Sequence, residues 1–180
     1  MPHLHTNPGE HDFTASACIV RQFPDGPKLL VHMHRKIHRL MIPGGHVEHD
    51  ENPVQTLAHE LPEETGYQLS QLTFLQPAHL ADRVFPENVW VHPIPFFFNT
   101  HQANHGGATN HHHSDMNFLL MVSEEPEGSP GETESQDLRW YSTHQLQTDP
   151  EVSSITAAVG PDAIQAAITG TWVPAKFRTS

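Results

Sequence analysis

The chain has little cysteine, little positive charge and no long apolar run, and each shortage excludes something. One cysteine, Cys18, among 180 residues cannot form an internal disulfide, so a cross-linked framework is ruled out and a reducing compartment is expected. Cys18 itself reads as a small apolar residue in a strand. Nine Lys and Arg stand against 21 Asp and Glu, a formal charge of -12, which disfavours nucleic acid and anionic membranes as partners. A polyphosphate would be repelled too unless cations intervene, so an acidic protein acting on phosphates would need metal. No stretch approaches the roughly 18 apolar residues of a membrane span. Met1 to His5 shows no basic region followed by an apolar segment, so it does not read as a signal peptide, and the cytoplasm is the expected location. A hydrophobic share of 36% over 180 residues supports one core and makes two full domains unexpected.

Histidine is abundant, with 17 residues, and if all of them took protons the net charge would turn from -12 to positive. Charge-dependent behaviour should therefore change around a pH of ~6.5. The histidines equally fit compositional drift and are assigned no function as a group; they are the only support for one class, a His-rich metal-handling protein, which tight zinc or nickel binding without hydrolysis would favour.

Residues 1–12 read as a flexible lead-in, 13–170 as one domain and 171–180 as a tail of unassigned structure. Phe13 to Arg21 alternates as a strand, Pro24-Asp25-Gly26 marks a turn, and Lys28 to Met33 reads as the returning strand. Leu40 to Ile42 forms a third short strand, and His46 to Glu48 is a candidate fourth. Asn52 is a good helix N-cap, Pro53 suits the first helical position, Gln55 completes a capping-box spacing and Gly66 ends the helix. Val54, Leu57, Ala58 and Leu61 give that helix one apolar face. Pro62 lies inside its last turns, where a kink or a tightened turn is expected. Further strands are expected at 69–77, 89–91, 95–99, 116–122 and 138–141, with loops at 101–113 and 123–135. A helical turn is expected at 143–147 and a terminal helix at 161–169, with Pro161 at its start. Strands on both sides of a docked helix, with another helix at the end, point to an α+β or α/β/α layered domain.

Glu60, Glu63 and Glu64 fall at i, i+3 and i+4, so on a helix they project from neighbouring positions. Such acidic clusters are ordinarily solvated faces. Here a Gly-Gly turn precedes the helix, and Glu48 and Glu51 add acid near its start. Several carboxylate oxygens gathered in a chain short of positive charge suit a hard cation such as magnesium, which keeps waters for a phosphate to displace.

The run from Gly45 to Tyr67, GHVEHDENPVQTLAHELPEETGY, resembles the Nudix box, G-x5-E-x7-R-E-U-x-E-E-x-G-U, where U is apolar. Every position fits but one, and the flanking strand, hairpin and Ile42-Pro43-Gly44-Gly45 extend the likeness from Phe13 to about Tyr141. The resemblance implies an α/β/α sandwich with a mixed central sheet and a catalytic loop-helix-loop. It implies a metal-dependent hydrolase that cleaves a phosphoanhydride bond. Its substrate class would be a nucleoside diphosphate linked to another moiety or a nucleoside triphosphate, and its cofactor magnesium or manganese. By the same resemblance, Glu60, Glu63 and Glu64, joined by the carbonyl of Gly45, hold the metal, and Glu51 organises the loop-helix-loop. The metals would neutralise phosphate charge and lower the pKa of a bound water, and Glu63 or Glu64 would take its proton. Relatives often dimerise, which makes a homodimer one expected assembly.

The departure is His59, which stands where the box has arginine. An imidazole cannot reproduce the planar, always-charged fork that pairs with the glutamates. His59→Arg is therefore expected to raise activity above a pH of ~7; unchanged or lower activity in a pH–rate profile would count against this. Loss of the arginine also keeps open a catalytically weak, ligand-binding or regulatory module. Retention of Glu51, Glu60, Glu63 and Glu64 favours the enzyme.

His111, His113 and Asp115 share a period of two, which on a strand puts them on one face. They could bind phosphate, add a metal ligand, chelate a transition metal, or belong to a hydrophilic loop. Glu134 is a candidate distal base, and Arg35 and Arg83 are candidate phosphate contacts. Trp90, Phe96, Phe97 and Phe98 could stack a base, although such aromatics usually belong to the core. The spacing downstream of the box matches no particular substrate subfamily.

Overall fold

Most of the expected strands form, several running further than local alternation suggests, while the one expected at 46–48 lies instead at Gly44–His46. The structure is a computed structural model that describes residues 8–81, 83, 85–103 and 111–177. It opens with β1 (His11–Phe23), β2 (Gly26–His34), β3 (Arg39–Met41) and β4 (Gly44–His46), followed by α1 (Pro53–Thr65) and β5 (Thr73–Pro77). Then come β6 (Phe97–Ala103), β7 (His111–Val122), β8 (Leu138–Tyr141), α2 (Thr143–Thr148), α3 (Ser154–Ile168) and β9 (Trp172–Pro174).

The strands form one mixed sheet in the order β3-β2-β1-β7-β5-β9, with β4 paired to β1, β6 to β7 and β8 to β2. β1 and β7 run parallel from His11↔His112 to Arg21↔Val122, and the other pairs are antiparallel. Alternation along β1 sends successive side chains to opposite faces. Ala15, Ala17 and Ile19 pack with Val54, Leu57 and Leu61 of α1. Cys18 and Val20 pack with Val159, Ala163 and Ile164 of α3. Helices thus cover both faces, the expected α/β/α sandwich. Leu57 and Leu61 are fully buried, each contributing about 2 kcal/mol by area.

α1 has the ends its sequence announces. The Asn52 side chain accepts from the N–H groups of Val54 and Gln55, and the Gln55 side chain accepts from the Asn52 N–H at 2.9 Å. Gly66 closes the helix at φ 78°, its N–H donating to Pro62 O at 3.1 Å. Pro62 is carried inside the helix without interrupting it. The carbonyl that loses a donor belongs to Ala58, an exposed residue, so water can serve it. Pro62→Ala should then raise stability by about 1–3 kcal/mol in thermal or urea unfolding; a loss would show that the proline shapes the helix end rather than straining it.

Elsewhere long-range pairing overrides the local reading. Residues 69–71 form a 3-10 turn, so β5 begins only at Thr73. The expected strand at 89–91 is irregular. α3 begins at Ser154 rather than Pro161, because Ser153 caps it by accepting from the Thr156 N–H at 3.3 Å. Trp172–Pro174, left unassigned above, pairs antiparallel with β5. β6 extends to Ala103 and β7 starts at His111, so 101–103 and 111–113 of the expected loop are strand, and its remainder, 104–110, lies outside the described residues. Residues 1–7 of the expected lead-in lie outside them as well, while His11 and Asp12 already belong to β1.

Candidate active site

Glycine at 44 and 45 lets β4 press into the angle between β1 and α1. β4 pairs with β1 through Ser16↔Gly44, Ala15↔Gly45 and Thr14↔His46. A Cβ on Gly44 would strike the backbone of Ala15 and Ser16, and one on Gly45 would occupy the space of the Glu60 carboxylate. Gly44 also sits at φ 155°, which L side chains rarely adopt. Its N–H donates to Glu64 Oε2 at 2.8 Å. The turn before the helix therefore receives both carboxylates, Glu60 against Gly45 and Glu64 on Gly44.

Glu60 and Glu64 are 6% and 7% exposed, unusual for glutamates on a helix. Burial pushes Glu60 up to about 7; His59 opposes this, and the charges of Glu63 and Glu134 add to it. Glu64 is raised well above the carboxylate range, chiefly by burial, against the Gly44 N–H and with Glu60, Glu134 and Glu63 adding repulsion. Carboxylates desolvated and mutually repelled in this way favour protons or cations over bare charge. The donors are all oxygen, which suits a hard divalent cation. A Gly45→Ala chain should fold, since its methyl meets the end of a flexible side chain, but should lose divalent-metal affinity as Glu60 is displaced. Titration calorimetry would check this, and unchanged affinity would separate Gly45 and Glu60 from metal binding.

Glu134 reaches this group on a loop docked against the end of α1. Gly128 N–H donates to Gly66 O at 3.0 Å, Gly131 N–H to Glu63 O at 2.7 Å, and Glu134 N–H to Gly131 O at 2.9 Å. The approach is close: a Cβ on Gly66 would lie 2.5 Å from Gly128 O. On the outer side of α1, His59 spans two acids, with Nδ1 3.4 Å from Glu51 Oε1 and Nε2 3.5 Å from Glu63 Oε1. The other Glu51 oxygen accepts from Thr56 Oγ1 at 3.1 Å. Glu63 is the exposed member of the set, its side chain 53% accessible.

His32 is a neighbour that local reading passes over. It lies in the apolar run of β2, is buried, and has Nε2 3.8 Å from Glu64 Oε2. Burial, with His34 adding, lowers its pKa to about 4, so it stands neutral beside Glu64 near pH 7. Strand alternation was the available signal: His32 shares its face with Leu30, which packs in the α1 cluster.

His111, His113 and Asp115 do lie on one strand face, but not at this site. Asp115 accepts from Thr14 Oγ1 and Ser16 Oγ, each at 2.9 Å, and from Asn117 Nδ2 at 2.8 Å, which ties β1 to β7. His111 and His113 instead gather with Asp12 and His46, two residues that sequence reasoning did not single out. Arg35 and Arg83 are exposed. Trp90, Phe97 and Phe98 are exposed rather than in the core, and Phe96 packs edge-on to Trp172 at 5.2 Å. A cavity of about 380 Å³ lined by Val54, Ala58, Leu72, Phe74, His92 and Phe177 lies along α1 and includes none of the four carboxylates.

Fold and site together define a class: a sheet domain sandwiched by helices that presents buried carboxylates at a Gly-Gly turn. Residues 12–159 match the family model of the NUDIX domain, and the chain belongs to that family. This places it among hydrolases that act on pyrophosphate bonds of phosphorus-containing compounds. A NUDIX-family hydrolase from Clostridium perfringens is similar in structure, with a TM-score of 0.69, 24% identity, and coverage of 87% of this chain and 97% of that one. An Ap4A hydrolase from C. elegans, solved as a binary complex, gives a TM-score of 0.60 at 16% identity, covering 88% and 98%. The NUDIX domain of Shewanella oneidensis NrtR, complexed with ADP ribose, gives 0.51 at 12% identity, covering 94% of each chain. No curated protein matches by sequence. Among the described residues no helix is long and apolar enough to cross a membrane.

Proposed function

We propose that this chain hydrolyses, with magnesium or manganese, the pyrophosphate bond of a nucleoside diphosphate linked to another moiety. The observation that carries the reading is the burial of Glu60 and Glu64 at Gly44-Gly45, with Glu63 and Glu134 close enough to raise both. Glu60, Glu63, Glu64 and the Gly45 carbonyl would hold the cations. Those cations would neutralise the phosphates and stabilise charge developing on the leaving group. Glu64, locked to Gly44, serves as a ligand, and the base expected at Glu63 or Glu64 is assigned instead to Glu134, whose charge acts on both buried carboxylates. His59 positions Glu63 and Glu51, the task of arginine in the box the segment resembles. The nucleotide part of the proposal draws on the fold's likeness to an Ap4A hydrolase and to a domain complexed with ADP ribose. A single cysteine fits a cytoplasmic location.

The test is a panel of ADP-ribose, dinucleoside polyphosphates, NADH, coenzyme A and nucleoside triphosphates with magnesium or manganese, repeated with Glu60→Gln and Glu134→Gln. Metal-dependent turnover is expected on a nucleoside diphosphate derivative. Glu60→Gln should weaken metal binding, while Glu134→Gln should lower kcat with metal affinity kept. Tight nucleotide binding without turnover would overturn the enzymatic reading in favour of a ligand-binding module.

A further inference from the structure

Away from the carboxylates, three histidines and an aspartate from three adjoining strands aim their ligand atoms at one spot. His113 Nε2 lies 3.2 Å from His46 Nε2 and 3.1 Å from His111 Nε2. Asp12 Oδ2 lies 3.5 Å from His111 Nε2 and 3.9 Å from His46 Nε2, and all four atoms fall within 4.8 Å of one another. A tetrahedral centre with bonds of about 2.0–2.1 Å separates its ligands by about 3.3–3.4 Å, a value the four measured edges bracket. A single proton on His113 Nε2 can serve only one of its two nitrogen contacts. Three converging imidazole nitrogens and a carboxylate oxygen are better matched to a shared cation.

We propose that Asp12, His46, His111 and His113 form a second metal site, for a transition metal of the zinc type. Nitrogen-rich donors select a borderline metal, whereas the oxygen donors on α1 select a hard one, so the two sites differ in chemistry as well as place. The scaffold accounts for the convergence. Asp12 and His113 are register partners in the parallel β1–β7 ladder, and His46 pairs across from Thr14 on β4. The period of two carries Asp12, Thr14 and Ser16 to the face that Cys18 shares with α3, opposite α1. Asp12 and His111 are 2% and 3% exposed, and Asp115, two residues beyond His113, fastens the same strands through Thr14 and Ser16. Four protein ligands make a closed, structural site. Its metal would clip the three-residue β4 to β1 and β7, and so hold Gly45, the residue before His46, against Glu60.

The site is tested by metal content and spectroscopy on the full chain, without reference to hydrolysis. With 17 histidines in the chain, weak binding elsewhere is removed first by a chelator of intermediate strength. One zinc per chain should remain, with saturating magnesium present. Cobalt in its place should give the intense visible bands of tetrahedral nitrogen and oxygen ligation. His113→Gln and Asp12→Asn should each lower zinc affinity by at least about 100-fold, while Glu63→Gln should leave it unchanged. Zinc retained by both tetrad variants, or lost with Glu63→Gln, would overturn the proposal. Should a tetrad variant not fold, the parent chain decides: a cobalt spectrum that is octahedral, absent, or displaced by magnesium rejects the site. A catalytically inactive chain that still binds zinc this way would leave the inference standing and reject only the hydrolase reading.

Discussion

Glu64→Gln should lower metal-dependent turnover by at least about 1,000-fold while the domain stays folded. Glutamine keeps an oxygen that can accept the Gly44 N–H, the 2.8 Å bond that fixes the side chain, so the turn before α1 should hold its shape. What is lost is the charge that draws a cation into the site. Removing one member of a buried, mutually repelling group should also leave the metal-free melting temperature unchanged or higher, because burial and the charges of Glu60, Glu134 and Glu63 all act against ionised Glu64. Turnover within about tenfold of the parent, measured with folding verified by circular dichroism, would remove Glu64 from the catalytic set.

The second large effect concerns pH and metal together. Glu60 is raised from 4.5 to about 7 in the fold, chiefly by burial. A folded carboxyl above its unfolded value holds its proton more tightly when folded. Its contribution to stability is complete below the unfolded value and is lost as pH rises through about 7. Magnesium competes for the same oxygens, so its affinity should rise about 30-fold between about pH 5.5 and about pH 8 as that proton leaves. Thermal shifts with and without magnesium read this directly. The magnesium increment should grow with pH in the parent and grow less steeply in Glu60→Gln, where Glu64, also raised by burial, still gives up a proton to the cation. A flat increment in the parent would mean that the cation does not bind at Glu60.

These two expectations rest on parts of the chain with unequal legibility. The helix from Pro53 to Thr65 could be read in full because caps and apolar spacing act within one or two turns. Asn52, Gln55 and Gly66 each do locally what their side chains dictate. The His59 departure was visible too, yet its geometry was not. A single imidazole lies 3.4 Å from Glu51 and 3.5 Å from Glu63 through different nitrogens. Pairing of distant segments was hidden. His111 to Asp115 read as a polar loop or the run-up to a strand, and they are strand because Glu10–Arg21 and β6 hydrogen-bond them from both sides. Pro161 suits a first turn and so draws the expected start of α3 to itself, while the actual cap, Ser153, makes a weaker local signal.

By itself the sequence determined the family and the helix that carries the carboxylates, and it raised the expectation of a cation among them. These follow from residue types at fixed short spacing and from a deficit of positive charge. The tertiary structure decided which carboxylates are buried, that Glu134 joins them from a loop, and that Asp12, His46, His111 and His113 meet. The reason is physical: spacing along a helix is set by 3.6 residues per turn. The meeting of residues from separate strands depends on a register held by hydrogen bonds across the sheet, and no local rule contains it.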